Sequence, residues 1–235
     1  MFQRKFFAVC NTLLLGLAPM VFGGAMAAEP PANSHPTIRA MLGVKPLDHL
    51  DPRTTALVVI DFQNEYFNGR MPIPDGEKAQ ANAQRLLRLA DAAKMQVFQV
   101  QHIAPAGSAV FAVDGETVKF HPGMEPRPQD TVLQKTSVSV FASTDLDRRL
   151  KEAGIKTIVV AGLMTHACIA AAARDAVPLG YQVLVASDAA ATRVITRRNG
   201  DAVESAELHA AALAEIEDTF GDVMTTAEIL RLPLR

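Results

Sequence analysis

Thr55-Ala-Leu-Val-Val-Ile60 runs directly into Asp61. An uncharged run so rich in β-branched residues is the signature of a strand buried on both faces. Such a strand needs helices on both sides of its sheet, and the flanking sequence supplies them. Ala79, Ala83, Leu86, Leu87, Ala90 and Ala93 recur at helical spacing, and Gln96-Val-Phe-Gln-Val100 reads as a second strand. A long segment punctuated by Gly107, Gly115, Pro122, Pro126 and Pro128 reads as loop, long enough to expect a functional role. Thr131-Val-Leu-Gln-Lys135 is a short strand, and Thr144-x-x-Asp147 a capping-box-like helix start ahead of Leu146 and Leu150. Thr157-Ile-Val-Val-Ala161 is another buried strand. A helix from about Ala167 to Leu179, ended by Gly180, leads to the strand Tyr181–Ala186. Val203, Ala206, Ala210, Leu213, Ile216 and Phe220 mark a late helix, and Val223 an edge strand. Strands alternating with helices describe βαβ units. The expected fold class is α/β, a three-layer α/β/α arrangement with a mostly parallel, Rossmann-like central sheet.

The chain has 235 residues, 49% hydrophobic and 20% charged, enough to bury a sizeable core. Its 23 Lys and Arg against 25 Asp and Glu form no basic block, which argues against nucleic acid as a partner. Cys10 and Cys168 are the two cysteines, too few for a disulfide framework or a multi-cysteine zinc site.

Arg4 and Lys5 precede a mostly apolar run from Phe6 to about Phe22, and Gly23-Gly-Ala-Met-Ala-Ala28 follows. A positive start, an apolar stretch and an A-x-A arrangement form the pattern of a secretory signal peptide over residues 1–27. Asn11, Pro19 and the Gly pair interrupt the run, which falls short of the roughly 20 apolar residues of a membrane helix. Cleavage after Ala27 removes Arg4, Lys5 and Cys10, leaving 208 residues with 21 basic groups against 25 acidic ones. The expected location is periplasmic or secreted, with no membrane attachment after cleavage. Residues 28–53 read as an extended N-terminal arm and residues 54–235 as the domain.

Ligands of open parallel α/β sheets sit at the carboxyl ends of the strands. Asp61 follows the first strand, Lys135 ends the third, and Cys168 lies just past the fourth. Each has a plain alternative: a helix cap, a solvated lysine, a packing cysteine. In Gly162-Leu-Met-Thr-His-Ala-Cys168 a tight turn places the sulfur near a helix N-terminus. The helix dipole and free backbone N–H groups there lower a thiol pKa toward neutrality and offer an oxyanion site. Asp61 supplies a base.

Three segments carry a resemblance to a known family: Ala56-Leu-Val-Val-Ile-Asp61-Phe-Gln-Asn64, Val132-Leu-Gln-Lys135 and Val160-Ala-Gly-Leu-Met-Thr165-His-Ala-Cys168. Ala173-Arg-Asp-Ala-Val-Pro-Leu-Gly-Tyr181 and Val185-Ala-Ser-Asp-Ala-Ala-Ala-Thr192 extend it. In this order and spacing the chain resembles the isochorismatase-like and nicotinamidase-like cysteine hydrolases from about Thr54 to Ala227. The resemblance implies the isochorismatase-like hydrolase fold, an Asp61–Lys135–Cys168 triad and a cis peptide at Leu163–Met164. It also implies an oxyanion hole from the N–H groups of Met164 and Cys168, and a homo-oligomer. The implied chemistry is acyl transfer: Asp61 takes the thiol proton, Cys168 attacks a carbonyl carbon, Lys135 stabilises the thiolate, and water hydrolyses the thioester.

Nicotinamidases of this family carry an Asp-x-His metal motif where this chain has Val100-Gln-His102. No metal and no cofactor are therefore expected, and His102 is assigned to the pocket. The family's isochorismatases lack the nucleophilic cysteine, so its presence disfavours vinyl-ether hydrolysis. Tyr66, Phe67, Phe111, Phe141 and His166 are candidates to line the substrate pocket, with Thr165 beside them; core packing is the alternative for the aromatics. The expected activity is cleavage of a C–N, amide-type bond of a small molecule. An ester or isochorismate-like hydrolase and a non-catalytic binding or thiol-redox protein are the competing readings.

Overall fold

The structure, a computed structural model, describes residues 35–235, so the expected signal peptide lies outside the described residues. In chain order the elements are α1 (Ile38–Met41), β1 (Thr55–Ile60), α2 (Gly76–Ala93), β2 (Gln96–His102), β3 (Thr131–Lys135), α3 (Val140–Ser143), α4 (Leu146–Glu152) and β4 (Thr157–Leu163). There follow α5 (Ala170–Ala176), β5 (Gln182–Ala191), β6 (Ile195–Thr196), β7 (Ala202–Val203), α6 (Ser205–Glu215), β8 (Asp222–Met224) and α7 (Thr226–Ile229). The main sheet has the order β3-β2-β1-β4-β5-β8 with every pair parallel, and β6 and β7 form a small antiparallel hairpin.

All six residues of β1 are buried, and their alternation feeds two cores. Leu57 and Val59 pack with Ala79, Ala83, Leu86 and Ala90 of α2. Ala56, Val58 and Ile60 face the opposite layer, with Leu146 and Leu150 of α4 and Ala172, Ala173 and Ala176 of α5. The sheet is thus covered on both faces, as the uncharged strand run requires. From β1 the chain proceeds outward through β2 to β3, then returns to β4 on the other side of β1 and continues outward. The reversal between β1 and β4 is a topological switch point, and the ends of these two strands open a crevice for a ligand.

Several elements differ from their sequence expectation. β2, β4 and β5 each run beyond their apolar cores, and β5 continues to Ala191 through a register shift opposite Val160 and Gly162. The bulge keeps the strand paired after its apolar run has ended. The helix expected from Ala167 begins instead as a wider π-helical turn, Thr165–Ile169, before α5. No capping box forms at Thr144: Asp145 is the N-cap, Thr144 Oγ1 accepts from Leu146 N–H at 3.2 Å, and Asp147 is drawn to Lys151 and Tyr181. A capping box does form at Thr225 and Glu228. Residues 36–53 dock on the domain. Leu50 is buried and bridges Leu234, and Asp222 accepts from Arg39 Nη2 at 2.5 Å and from Leu47 N–H at 2.9 Å.

Gly162 pairs with Ile60 where β4 leaves the sheet, at φ +143°. A Cβ there would lie 2.2 Å from the Ile60 carbonyl oxygen, a backbone atom that cannot step aside. Gly162→Ala is expected to cost about 3 kcal/mol or more, combining backbone strain with a steric clash. Leu150→Ala, which empties a fully buried site, is expected to cost about 2–5 kcal/mol. Urea unfolding midpoints check both.

Candidate active site

Asp61 leaves β1 in the left-handed region, at φ +57°. Asp tolerates this conformation better than most residues, and it lets the chain turn out of the sheet with Gln63 N–H donating to Asp61 C=O at 2.8 Å. The Asp61 carboxylate is fully buried. Lys135 ends β3 and is also fully buried, with Nζ 2.8 Å from Asp61 Oδ2. The same Nζ donates to His102 Nδ1 at 2.7 Å, to the Ser137 carbonyl at 3.2 Å and to Cys168 Sγ at 3.4 Å. Cys168 sits in the π-helical turn after β4, and the Leu163–Met164 peptide that leads into this turn is cis. π-Helical turns of this kind recur at functional sites. Asp61, Lys135 and Cys168, far apart in the chain, thus converge at three strand ends.

Burial dominates the electrostatics. The Cys168 thiol is pushed up to about 12, first by burial and then by the Asp61 carboxylate, with Lys135 pulling the other way. Burial also raises Asp61, against Lys135. This corrects the expectation of a thiol acidified at a helix N-terminus: the sulfur is buried beside a carboxylate, and removal from water outweighs the helix end. The thiol is close enough to Asp61 for each to move the other's titration, and Lys135, the thiol and the His102 backbone N–H all favour the charged carboxylate against its burial. An acceptor so placed is free to take a proton from sulfur.

The other expected residues divide. Tyr66 is buried, meets Phe111 edge-on at 5.4 Å, and is raised by burial and by the charges of Cys168 and Asp61. Phe111, at φ +56° on the long loop, packs over His102 at 4.7 Å. These three rings gather at the triad. Phe67 instead stacks on His121 at 3.6 Å, and Phe141 on Tyr181 at 6.0 Å, a contact of the helical layer. The Thr165 hydroxyl is fully buried and pairs with His209 Nδ1 at 2.8 Å. His166 Nδ1 pairs with Thr192 Oγ1 at 2.6 Å.

Three contributors escaped the sequence reading. Gln63 stands in the Asp61-x-Gln motif, and its amide takes His102 N–H at 2.8 Å and donates to the carbonyls of His102 at 2.8 Å and Val118 at 2.6 Å. Arg193 has a buried Nε without a partner, and its charge reaches Tyr66 and His166. His209 steadies the turn that holds the sulfur. Gln63 lay inside a quoted motif, whereas Arg193 and His209 had no local signal beyond residue type. A cavity of about 380 Å³ between α2 and α6 is lined by Lys78, Asp188, Thr192 and His209, but by none of the triad. It meets the site only through the partners of Thr165 and His166, so the triad is the better guide to the chemistry.

Residues 55–228 match the isochorismatase domain family model. The chain belongs to the isochorismatase family. It is 40% identical over 181 residues to the isochorismatase family protein YddQ of Bacillus subtilis, covering 76% of this chain and 99% of the relative. The secreted isochorismatase effector Isc1 of Verticillium dahliae is 34% identical, over 82% and 98%. A maleamate amidohydrolase of Pseudomonas putida is 29% identical, over 76% and 86%. Among solved structures, an isochorismatase from Pseudomonas putida KT2440 superposes with a TM-score of 0.78 at 28% identity, covering 83% of this chain and all of that one. A cysteine hydrolase from Pseudomonas syringae gives 0.74 at 29% identity, over 80% and 96%. This isochorismatase-family chain is a hydrolase with the three-layer α/β/α fold.

The raised thiol makes a definite prediction. Iodoacetamide alkylation of Cys168 should be slower at pH 7 than for a free thiol of pKa about 8.5, and should keep rising with pH past that value. Asp61→Asn should speed alkylation, because it removes the carboxylate that opposes the thiolate. Mass spectrometry of the Cys168 peptide reads both rates.

Proposed function

We propose that the protein is an exported, metal-independent cysteine amidohydrolase that cleaves a C–N bond of a small molecule. The observation that carries this reading is one lysine nitrogen within 2.8 Å of Asp61 and 3.4 Å of Cys168, all three buried at strand ends. Asp61 takes the thiol proton as sulfur bonds to the carbonyl carbon, so no standing thiolate is needed. Backbone N–H groups of Met164 and Cys168 receive the oxyanion. The C–N bond breaks as Asp61 returns the proton to nitrogen. Water, deprotonated by Asp61, then opens the thioester to the acid and restores the thiol. Lys135 offsets negative charge on whichever of Asp61 and Cys168 bears it.

Arg193 sharpens the substrate class. A guanidinium with an unpaired buried Nε, close enough to act on Tyr66 and His166, favours an amide that bears an anionic group. The amidohydrolase relative supports the amide over the ester reading. Export is supported by the signal-like residues 1–27 and by the secreted relative.

Ammonia release across a panel of small amides tests the reaction. Carboxylate-bearing amides should turn over with the lowest KM and survive EDTA dialysis. Cys168→Ala should abolish release, and Asp61→Asn should lower kcat by about 10²–10⁴-fold. Turnover of esters but of no amide would sink the amidase reading. For export, protein recovered from the periplasm or medium should begin at Ala28 on N-terminal sequencing; an intact Met1 would refute cleavage.

A further inference from the structure

His102 was expected to contact substrate, but its inner ring nitrogen is spent on the lysine. We propose that His102 is the positioning residue for Lys135: Nδ1 accepts a hydrogen bond from Nζ and holds the ammonium between Asp61 and Cys168. The inference rests on the Asp61–Lys135–Cys168 reading above.

The geometry favours this role over that of a pocket wall. An ammonium has three N–H donors, and Nζ has four partners in reach: Asp61, His102, the Ser137 carbonyl and Cys168. The contact with His102 is the shortest of the four and uses a neutral acceptor. It therefore fixes the direction of the cation without cancelling its charge. Without it, the buried ammonium would settle toward Asp61 and Ser137, leaving the sulfur. His102 itself is rigidly placed. It sits opposite Lys135 in the β2–β3 register, Gln63 pins its backbone on both sides, and the Phe111 ring packs over its imidazole.

Because Nδ1 accepts from a cation, the ring proton belongs on Nε2. Burial and the Lys135 charge hold His102 down to about 4, so Nδ1 stays an acceptor at neutral pH. The titratable groups that face Lys135 are Asp61 from the end of β1, His102 from β2 and Cys168 from the turn after β4; Tyr66 lies beyond them.

Two amide substitutions separate the ring nitrogens. His102→Asn keeps an acceptor near the Nδ1 position, whereas His102→Gln places its amide near Nε2, beyond the lysine. The amide substrate found by the ammonia panel and the pH profile of Cys168 alkylation are the readouts, with Lys135→Met as reference. His102→Asn should recover kcat to within about threefold, and His102→Gln should lose about tenfold or more with KM little changed. The Gln variant should also shift the alkylation profile to higher pH by about one unit, because the thiolate loses its cation. Equal losses in both variants, or a raised KM with kcat intact, would overturn the proposal. If the Gln variant does not fold, imidazole ¹⁵N shifts of the wild-type protein decide. An unprotonated Nδ1 between about pH 5 and 8 supports the proposal, and a proton on Nδ1 refutes it. If Lys135→Met moves neither kcat nor the alkylation profile, the triad reading itself fails, whatever His102 does.

Discussion

A lysine ammonium without solvent contact is the constraint around which this active site is built. Moving such a cation out of water costs several kcal/mol even after relaxation, and the cost is offset only where acceptors converge on it. Here they come from the ends of four strands: Asp61 after β1, His102 on β2, Ser137 after β3 and Cys168 after β4. The left-handed turn at Asp61, the Gln63 clamp on His102 and the glycine at 162 are the local consequences of crowding these groups together.

The same burial decides the state of the sulfur. A helix N-terminus typically contributes about 0.3–1 kcal/mol to a nearby anion, whereas full desolvation shifts a buried group by up to about 3–5 pKa units. Desolvation wins, and the thiol is held as a thiol. In the proposed reaction the nucleophile forms during attack, as Asp61 accepts the proton. The arrangement also protects the sulfur, because the thiolate is the form that oxidises. Aromatic rings from Tyr66, Phe111 and His102 continue the dry environment outward.

Much of this was legible from residue order. The uncharged run at Thr55–Ile60 determined a sheet covered on both faces, and Asp61, Lys135 and Cys168 at strand ends marked its working edge. Phe67 and Phe141 lie near a triad residue in sequence, and their ring partners, His121 and Tyr181, come from distant parts of the chain. Gln63 was in plain view within a motif, but a buried amide clamp is defined by the backbone it reaches, and that backbone is 39 and 55 residues away.

The sequence by itself determined the class of fold and singled out Asp61, Lys135 and Cys168 as candidates, because hydrophobic period and strand-end chemistry are local properties of the chain. Only the tertiary structure decided how those groups are charged and aimed. A pKa depends on how much water is removed and on which charges arrive from other strands, and neither quantity is written at any one position. The thiol that local sequence would acidify is instead held protonated by burial, and the histidine that looked like a pocket residue is turned toward the lysine.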